Sequence, residues 1–331
     1  MESPERDTTR PLFHWYVDCA QGKELIFALY TRPCRYGHCS FCALPSMSIG
    51  GEVVSAKDIE RQIDYVLSQH TPEELDEVAK VSVYTASSSL DQECLPTRSL
   101  LYLALRVCDL PRLELLSLET RAEYVEDWEL KALRAVFADR VTIEVGIGYE
   151  THDPVLRNDV LGKGLEVEEL HALMQLLAEN EARLKAYLML KPHHSLTEEQ
   201  GVVEAVDGLA ELAGLGERYG VTVSVHLNPT YIAEGCRLTD ELVEHGYEPP
   251  ELSSVIEVVL DAKRRGLAIY VGLDDEGLAV EGGTFRSTGL DRDRAVNALK
   301  AFNRHQDLER LVEESGFVTP TARPQEEGEG G

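Results

Sequence analysis

The sequence has no apolar run long enough to cross a bilayer, which excludes a helical membrane anchor. It opens on MESPERDTTRP, a charged stretch without an apolar h-region, so no secretory signal is read there and a cytoplasmic location is expected. Cysteine is sparse, seven in 331 residues, and the number is odd. In a chain with no export signal this argues against a disulfide framework. Cys19, Cys94, Cys108 and Cys236 are scattered and read as buried small apolar side chains. Basic residues are also scarce: 32 Lys and Arg stand against 59 Asp and Glu, a formal charge of −27. Gripping a polyanion needs a basic surface, so this balance disfavours tRNA or any other nucleic acid as partner. No internal repeat of fixed short period occurs.

What is present is a series of β–α units. Strand-length apolar runs fall at 24–31, 80–85, 113–120, 140–150, 183–191, 220–229 and 267–273. Helical-period segments lie between them. SAKDIERQIDYVLSQ (55–69) offers Ser55 as an N-cap, and PPELSSVIEVVLDAKRRG (249–266) begins with prolines and ends with glycine. The runs VEDWELKALRAVF, EVEELHALMQLLAEN and TEEQGVVEAVDGLAELAGLG have the same character. Six or seven such units imply a parallel sheet with helical crossovers, either open and doubly wound or a full or partial TIM-like barrel. Both architectures collect functional residues at the C-terminal ends of strands. The tail TPTARPQEEGEGG (319–331), rich in Pro, Gly and Glu, is expected to be disordered.

The first strand runs into RPCRYGHCSFCALP (32–45), with Cys34, Cys39 and Cys42 within nine residues. Three thiolates in one loop can hold a metal. A structural zinc site wants a fourth ligand. His38 is the nearest, but no second CxxC and no HxxxH follows. A 4Fe-4S cluster normally takes four cysteines, and with three it keeps one iron open for another ligand. A metal-free buried thiol cluster is the third reading.

A three-cysteine loop after the first strand of a β/α series resembles the radical S-adenosylmethionine (SAM) superfamily. The usual spacing there is CxxxCxxC. Here it is CxxxxCxxC, one residue longer in the first gap. Phe41, before the last cysteine, matches an aromatic that packs near the SAM adenine in that family. The segments VYTASSSLD (83–91), LSLETRAEYV (116–125), IEVGIGYETHDPVLRNDVLGKG (143–164), LKAYLMLKP (184–192), VSVHLNPTYIAEGC (223–236) and YEPPELSSVIEVV (247–259) extend the likeness. They are similar to the elongator/methylthiotransferase-like group, in particular the radical SAM subunits of archaeosine synthase, over about residues 24–310.

The resemblance implies a partial (β/α)6 TIM-like barrel over 24–272, after an N-terminal extension (1–23). A C-terminal α/β extension (273–315) and a disordered tail (316–331) follow. It implies Cys34, Cys39 and Cys42 as ligands of a 4Fe-4S cluster whose open iron chelates SAM. Reductive cleavage of SAM then yields a 5′-deoxyadenosyl radical that takes hydrogen from the substrate, and the protein positions and excludes water. A flavodoxin or ferredoxin is the expected electron donor.

Around the cofactor, Thr85, Ser87 and Ser88 end the second strand, where relatives bind the SAM amino group, often through Gly-Gly-Glu. The GGE of this chain, Gly50 to Glu52, precedes the first helix and reads as loop punctuation. Glu119 and Arg121 end the third strand and can bind the SAM ammonium or ribose and its carboxylate. Glu150 ends the fourth after two glycines, and burying a lone carboxylate is costly enough to demand a partner. Lys185, Tyr187 and Lys191 share a parity along the fifth strand and read as one face of a lined cavity, with Tyr187 and Lys191 as catalytic candidates. Asn228 ends the sixth strand and can close the SAM site. Cys236, in the following loop, is a candidate donor of hydrogen or sulfur. His193 and His194 read as loop histidines, with acid/base or metal-ligand roles as the alternative.

The expected function is hydrogen abstraction from a small soluble, nucleoside- or nucleotide-like metabolite. A tRNA deazaguanine reaction of the archaeosine type is one alternative, although no lysine-rich stripe is present. Sulfur insertion is another, which would need three further grouped cysteines if it used a second cluster. A zinc-bound interaction module is the non-enzymatic alternative.

Overall fold

The computed structural model describes residues 7–44, 54–274, 278–280 and 283–318. One eight-stranded sheet runs in sequence order. Its strands are β1 (Phe13–Cys19), β2 (Gly22–Leu29), β3 (Val78–Thr85), β4 (Leu115–Thr120), β5 (Thr142–Glu150), β6 (Arg183–Leu190), β7 (Val223–Pro229) and β8 (Ala268–Val271). β1 pairs antiparallel with β2, and every later pairing is parallel. The sheet curls until its two ends nearly meet: Gln21, in the β1–β2 turn, donates from Nε2 to the Tyr270 hydroxyl on β8 at 2.9 Å. This is the TIM-like partial barrel. All seven expected strands are present.

The helices are α1 (Ala56–Ser68), α2 (Pro72–Leu75), α3 (Thr97–Val107), α4 (Asp127–Phe137), α5 (Val167–Glu179), α6 (Glu198–Tyr219), α7 (Leu238–Glu244), α8 (Leu252–Arg264), α9 (Arg292–His305) and α10 (Leu308–Ser315). Ser55 caps α1 in a reciprocal box with Asp58, and Thr197 caps α6 the same way with Gln200. α6 ends on Gly220 in the left-handed conformation. No helix of the described residues is long and apolar enough to cross a membrane.

The core lies between sheet and helices. Val81 and Val83 on β3, Leu116 and Leu118 on β4, and Leu184, Ala186 and Leu188 on β6 pack in one cluster with Ile59, Leu103, Leu133, Leu173 and Val255 of the helices. The opposite face of each strand differs. Lys80, Ser82 and Tyr84 of β3, Ser117 and Glu119 of β4, Glu144 of β5, Lys185 and Tyr187 of β6, and His226 and Asn228 of β7 carry the other parity, and all point into the barrel. Both faces are buried, as expected of parallel strands, but the inner face buries charge.

Three expectations shift here. The sheet begins inside the stretch read as an N-terminal extension, since β1 and the first residues of β2 precede residue 24. At the other end, Gly316 caps α10 and Phe317 is buried, so the ordered chain runs past 315; residues 319–331 and the GGE at 50–52 lie outside the described residues. Beyond β8 the extension is helical, α9 and α10, with no further strand among the described residues.

Candidate active site

At the C-terminal ends of the strands the barrel opens into a cavity of about 370 Å³. Cys34, Cys39, Phe41 and Cys42, in the loop after β2, form one wall. Thr85, Ser87 and Ser88 after β3, Glu119 and Arg121 at the end of β4, Glu150 at the end of β5, Tyr187 on β6, and Asn228 and Cys236 on and after β7 line the rest.

The cysteine loop is tied down on three sides. Arg35 donates from Nε to the buried Asp91 carboxylate at 2.7 Å, joining the loop to the β3–α3 connection. The Tyr36 hydroxyl donates to the Gly162 carbonyl at 2.9 Å and Ser40 N–H to the Leu161 carbonyl at 2.8 Å, joining it to the segment after β5. Leu238 N–H, at the start of α7, donates to the Ser40 carbonyl at 2.8 Å. Arg121 stacks over the Tyr36 ring at 3.5 Å and donates to the Lys163 and Gly164 carbonyls at 2.8 and 3.1 Å. Its Nη1 also reaches Cys39 Sγ at 3.9 Å, and its Nε pairs with Glu123. That guanidinium is committed to the loop and not free to clamp a carboxylate, which corrects the reading of Arg121 as a SAM carboxylate ligand.

Burial pushes the Cys42 thiol up to about 12 and the Cys39 thiol above its usual range. Desolvated thiols stay neutral until a cation shares the charge, which is the environment of metal-bound cysteine. The three sulfurs do not all come within 4.8 Å of one another; His193, His194 and Glu241 are the only such metal-ligating trio among the described residues. The His38 ring packs edge-on to Tyr36 at 5.1 Å and does not line the cavity.

The far wall is rich in oxygen donors and acceptors. The Ser87 hydroxyl lies 3.2 Å from both the Thr31 and Thr85 hydroxyls. Thr230 also lines this wall, and its carbonyl accepts from the Tyr247 hydroxyl at 3.2 Å. Glu119 is the hub of the floor: it accepts from Lys185 Nζ at 2.7 Å and from the Tyr187 hydroxyl at 2.6 Å. Burial alone would lower the Lys185 ammonium, but Glu119 holds it well above the usual lysine range. Gly146 is required here, because a Cβ would run into the Glu119 carboxylate. Gly148 likewise leaves room for Glu150, which pairs with Lys163 at 3.0 Å. Glu150 sits at φ +67°, after a register shift in β5, so the backbone is strained where its carboxylate turns into the cavity.

The expected residues therefore separate. Cys34, Cys39, Cys42, Phe41, Thr85, Ser87, Ser88, Glu119, Arg121, Glu150, Tyr187, Asn228 and Cys236 share one cavity. Lys185 lies beneath it, touching its lining residues Glu119 and Tyr84. Lys191 does not join them. At φ +54° the chain turns away after β6, and Lys191 Nζ pairs with Glu198 at 3.2 Å and donates to the Glu248 carbonyl at 2.8 Å. Parity along a strand stops predicting direction where the strand ends, so the catalytic reading of Lys191 is withdrawn. His193 and His194 also lie outside the cavity. Several lining residues escaped the sequence, among them Lys163, brought in by the loop that follows β5, and Thr230, one residue past β7. The glycines around Lys163, in LGKG, were the one available signal.

No protein-family model matches the chain. It is 24% identical over 313 residues to an uncharacterized protein of Methanocaldococcus jannaschii, covering 92% of this chain and 83% of that one. Two proteins named archaeosine synthase subunit beta are also similar. The Methanosarcina acetivorans protein is 27% identical over 266 residues, 77% of this chain and 72% of its own length. The Thermococcus kodakarensis protein is 28% identical over 229 residues, 69% and 68%. Among solved structures, Methanocaldococcus infernus Elp3 superposes with a TM-score of 0.50 at 16% identity over 78% of this chain, which spans 60% of that one; this shows a shared fold. Fold and relatives agree with the cysteine loop: the chain shares the barrel fold of Elp3 and is similar to the proteins named archaeosine synthase subunit beta.

Proposed function

We propose that this enzyme abstracts hydrogen from a small soluble substrate with a nucleoside-like group, in the cavity at the mouth of the barrel. The observation that carries the reading is that one cavity joins three thiols, two of them pushed up by burial, to a wall of hydroxyls from Thr85, Ser87 and Ser88. Cys34, Cys39 and Cys42 would hold the cluster, and Phe41, Thr85, Ser87, Ser88, Thr230 and Asn228 would surround SAM. Cluster and SAM, held there, would supply one-electron reductive cleavage to a 5′-deoxyadenosyl radical, with a flavodoxin or ferredoxin as the electron source. The chain's own residues orient and protect. Arg121 and Tyr36 fix the cysteine loop, the Glu150–Lys163 pair offers one charge of each sign to the SAM amino-acid end, and Leu238 and Leu242 exclude water. Tyr187 and Glu119 hold a proton at the cavity floor, 2.6 Å apart. Cys236 lines the same space, its Sγ 2.9 Å from the Thr239 hydroxyl, and can return a hydrogen atom to a substrate radical.

The cavity volume falls within the small-molecule range. The charge of −27 repels phosphate, which favours a free metabolite over tRNA. The relatives' names favour a second reading, a deazaguanine base carried on tRNA. Anaerobic reconstitution with iron and sulfide tests the class: about four irons per chain and 5′-deoxyadenosine formation under dithionite are expected. Failure to cleave SAM overturns the proposal. Free nucleosides, and not tRNA, should then stimulate 5′-deoxyadenosine formation; stimulation by tRNA alone transfers the substrate to the second reading.

A further inference from the structure

We propose that His193, His194 and Glu241 form a second metal site, for a divalent transition-metal ion of the zinc class, which fastens α7 to the loop after β6. The two rings aim Nε2 at the same carboxylate oxygen: His193 lies 3.0 Å and His194 3.1 Å from Glu241 Oε1. All three ligand atoms fall within 4.8 Å of one another. Ligands held about 2.0–2.2 Å from one ion lie about 3 Å apart, so an ion fits with small side-chain shifts and no backbone movement. Two imidazoles and one carboxylate suit zinc and its first-row neighbours rather than magnesium or calcium.

The surroundings are built to hold these ligands. His193 is buried, and the Ser195 hydroxyl lies 2.9 Å from its Nδ1. Ser195 N–H also donates to this Nδ1 at 3.2 Å, so a metal at Nε2 would move the ring proton to Nδ1, where the Ser195 hydroxyl can accept it in the manner usual behind a ligating histidine. His194 is fixed from both sides, 4.0 Å from the His193 ring and stacked on His245 at 4.1 Å and 12°. His245 is itself anchored, its Nδ1 2.9 Å from the Glu241 carbonyl. The backbone is also prepared: Tyr247 donates to the Lys191 carbonyl at 2.7 Å and Lys191 to the Glu248 carbonyl at 2.8 Å, so the two segments are joined before any ion arrives. The Glu241 side chain is 46% exposed, which leaves a route for the ion and room for water on it.

The position gives the site a task. Leu238 and Leu242, one turn apart on α7, line the main cavity, while Glu241 projects toward the histidines. An ion there would hold the cavity wall in place. This does not depend on the reaction proposed above.

The test uses the full chain with Cys34, Cys39 and Cys42 changed to alanine, so that no thiol of the cysteine loop competes. After chelator treatment it is titrated with Co²⁺, then Zn²⁺. One Co²⁺ per chain is expected, with a visible d–d band and no thiolate charge-transfer band, displaced by one Zn²⁺. Zn²⁺ should also raise hydrogen-exchange protection over residues 236–245. Glu241→Gln and His194→Asn should each weaken binding at least about 100-fold, while Asp240→Asn leaves it within twofold, with unchanged far-UV circular dichroism in all three. Should the alanine host not fold, calorimetry with Zn²⁺ on the cluster-loaded wild type and its Glu241→Gln variant reads the same difference. No stoichiometric binding, a thiolate band, or binding indifferent to Glu241→Gln and His194→Asn overturns the proposal and leaves a plain histidine–glutamate ion pair.

Discussion

The two ends of the barrel interior are built from similar residues and differ in how their charges close. At the N-terminal end a smaller cavity, about 160 Å³, is lined by Glu24, Lys80, Glu144, Lys185 and His226. Its charges are answered from within: Lys80 lies 3.5 Å from Glu24 and 3.4 Å from Glu144, Ser82 donates to Glu24, and Ser117 donates to Glu144 at 2.8 Å. At the C-terminal end the floor closes the same way around Glu119, but the walls do not. There stand three thiols, two of them pushed up by burial, and a glutamate on strained backbone. A buried polar group either finds a protein partner or implies a ligand. The closed end is scaffold, and the open end is the site.

Changes at the open end should abolish chemistry and spare the fold. Replacing Cys34, Cys39 or Cys42 with alanine should lower retained iron well below about four per chain. SAM cleavage should fall by at least about a thousandfold with little change in melting temperature. Full activity in such a variant would break the contrast between the ends.

At the closed end the effect should reverse. Lys80→Met leaves Glu24 and Glu144 buried without their cation, and should cost about 3–5 kcal/mol of stability. Denaturant unfolding reads that loss, and SAM affinity should stay within about threefold if the two ends are as separate as their hydrogen bonds.

The pH dependence follows from His226. Burial and the nearby Lys185 cation depress it to about 3. The folded protein keeps this ring neutral where the unfolded chain takes up a proton, so the unfolded state binds more protons between about pH 6.5 and 3. Stability should therefore be intact above pH 6.5 and fall by up to about 1.4 kcal/mol per unit as pH drops through that window. Unfolding midpoints at successive pH values measure the slope, and His226→Asn should flatten it.

The smallest effect is expected where the ends meet. Tyr187→Phe removes one hydrogen bond to Glu119 and should cost about 1 kcal/mol of stability. Product yield per SAM cleaved should change more than SAM affinity if Tyr187 faces substrate; an equal change in both would assign it to the SAM pocket.

Much of this was legible before any coordinates. The strand runs were readable because parallel strands with both faces buried are continuous and apolar, and the cysteine loop because its ligands are close in sequence. Ser55 and the α6 segment announced their helices through capping and period. β1 was missed because an edge strand with alternating exposure, FHWYVDC, lacks such a run. α3 was passed over although its buried Leu100, Leu103, Ala104 and Val107 fall at helical spacing. Lys191 was misread because a strand's alternation was carried past its last residue.

The sequence by itself determined the class of chemistry and the order of the barrel, since both rest on local signals: runs, periods and three thiols in one loop. Tertiary structure decided which charges answer one another. Lys163 meets Glu150, Arg121 turns from SAM to the cysteine loop, and Glu241 meets two histidines 47 and 48 residues away. Such pairings depend on where crossovers deliver side chains, and no spacing along the chain encodes that.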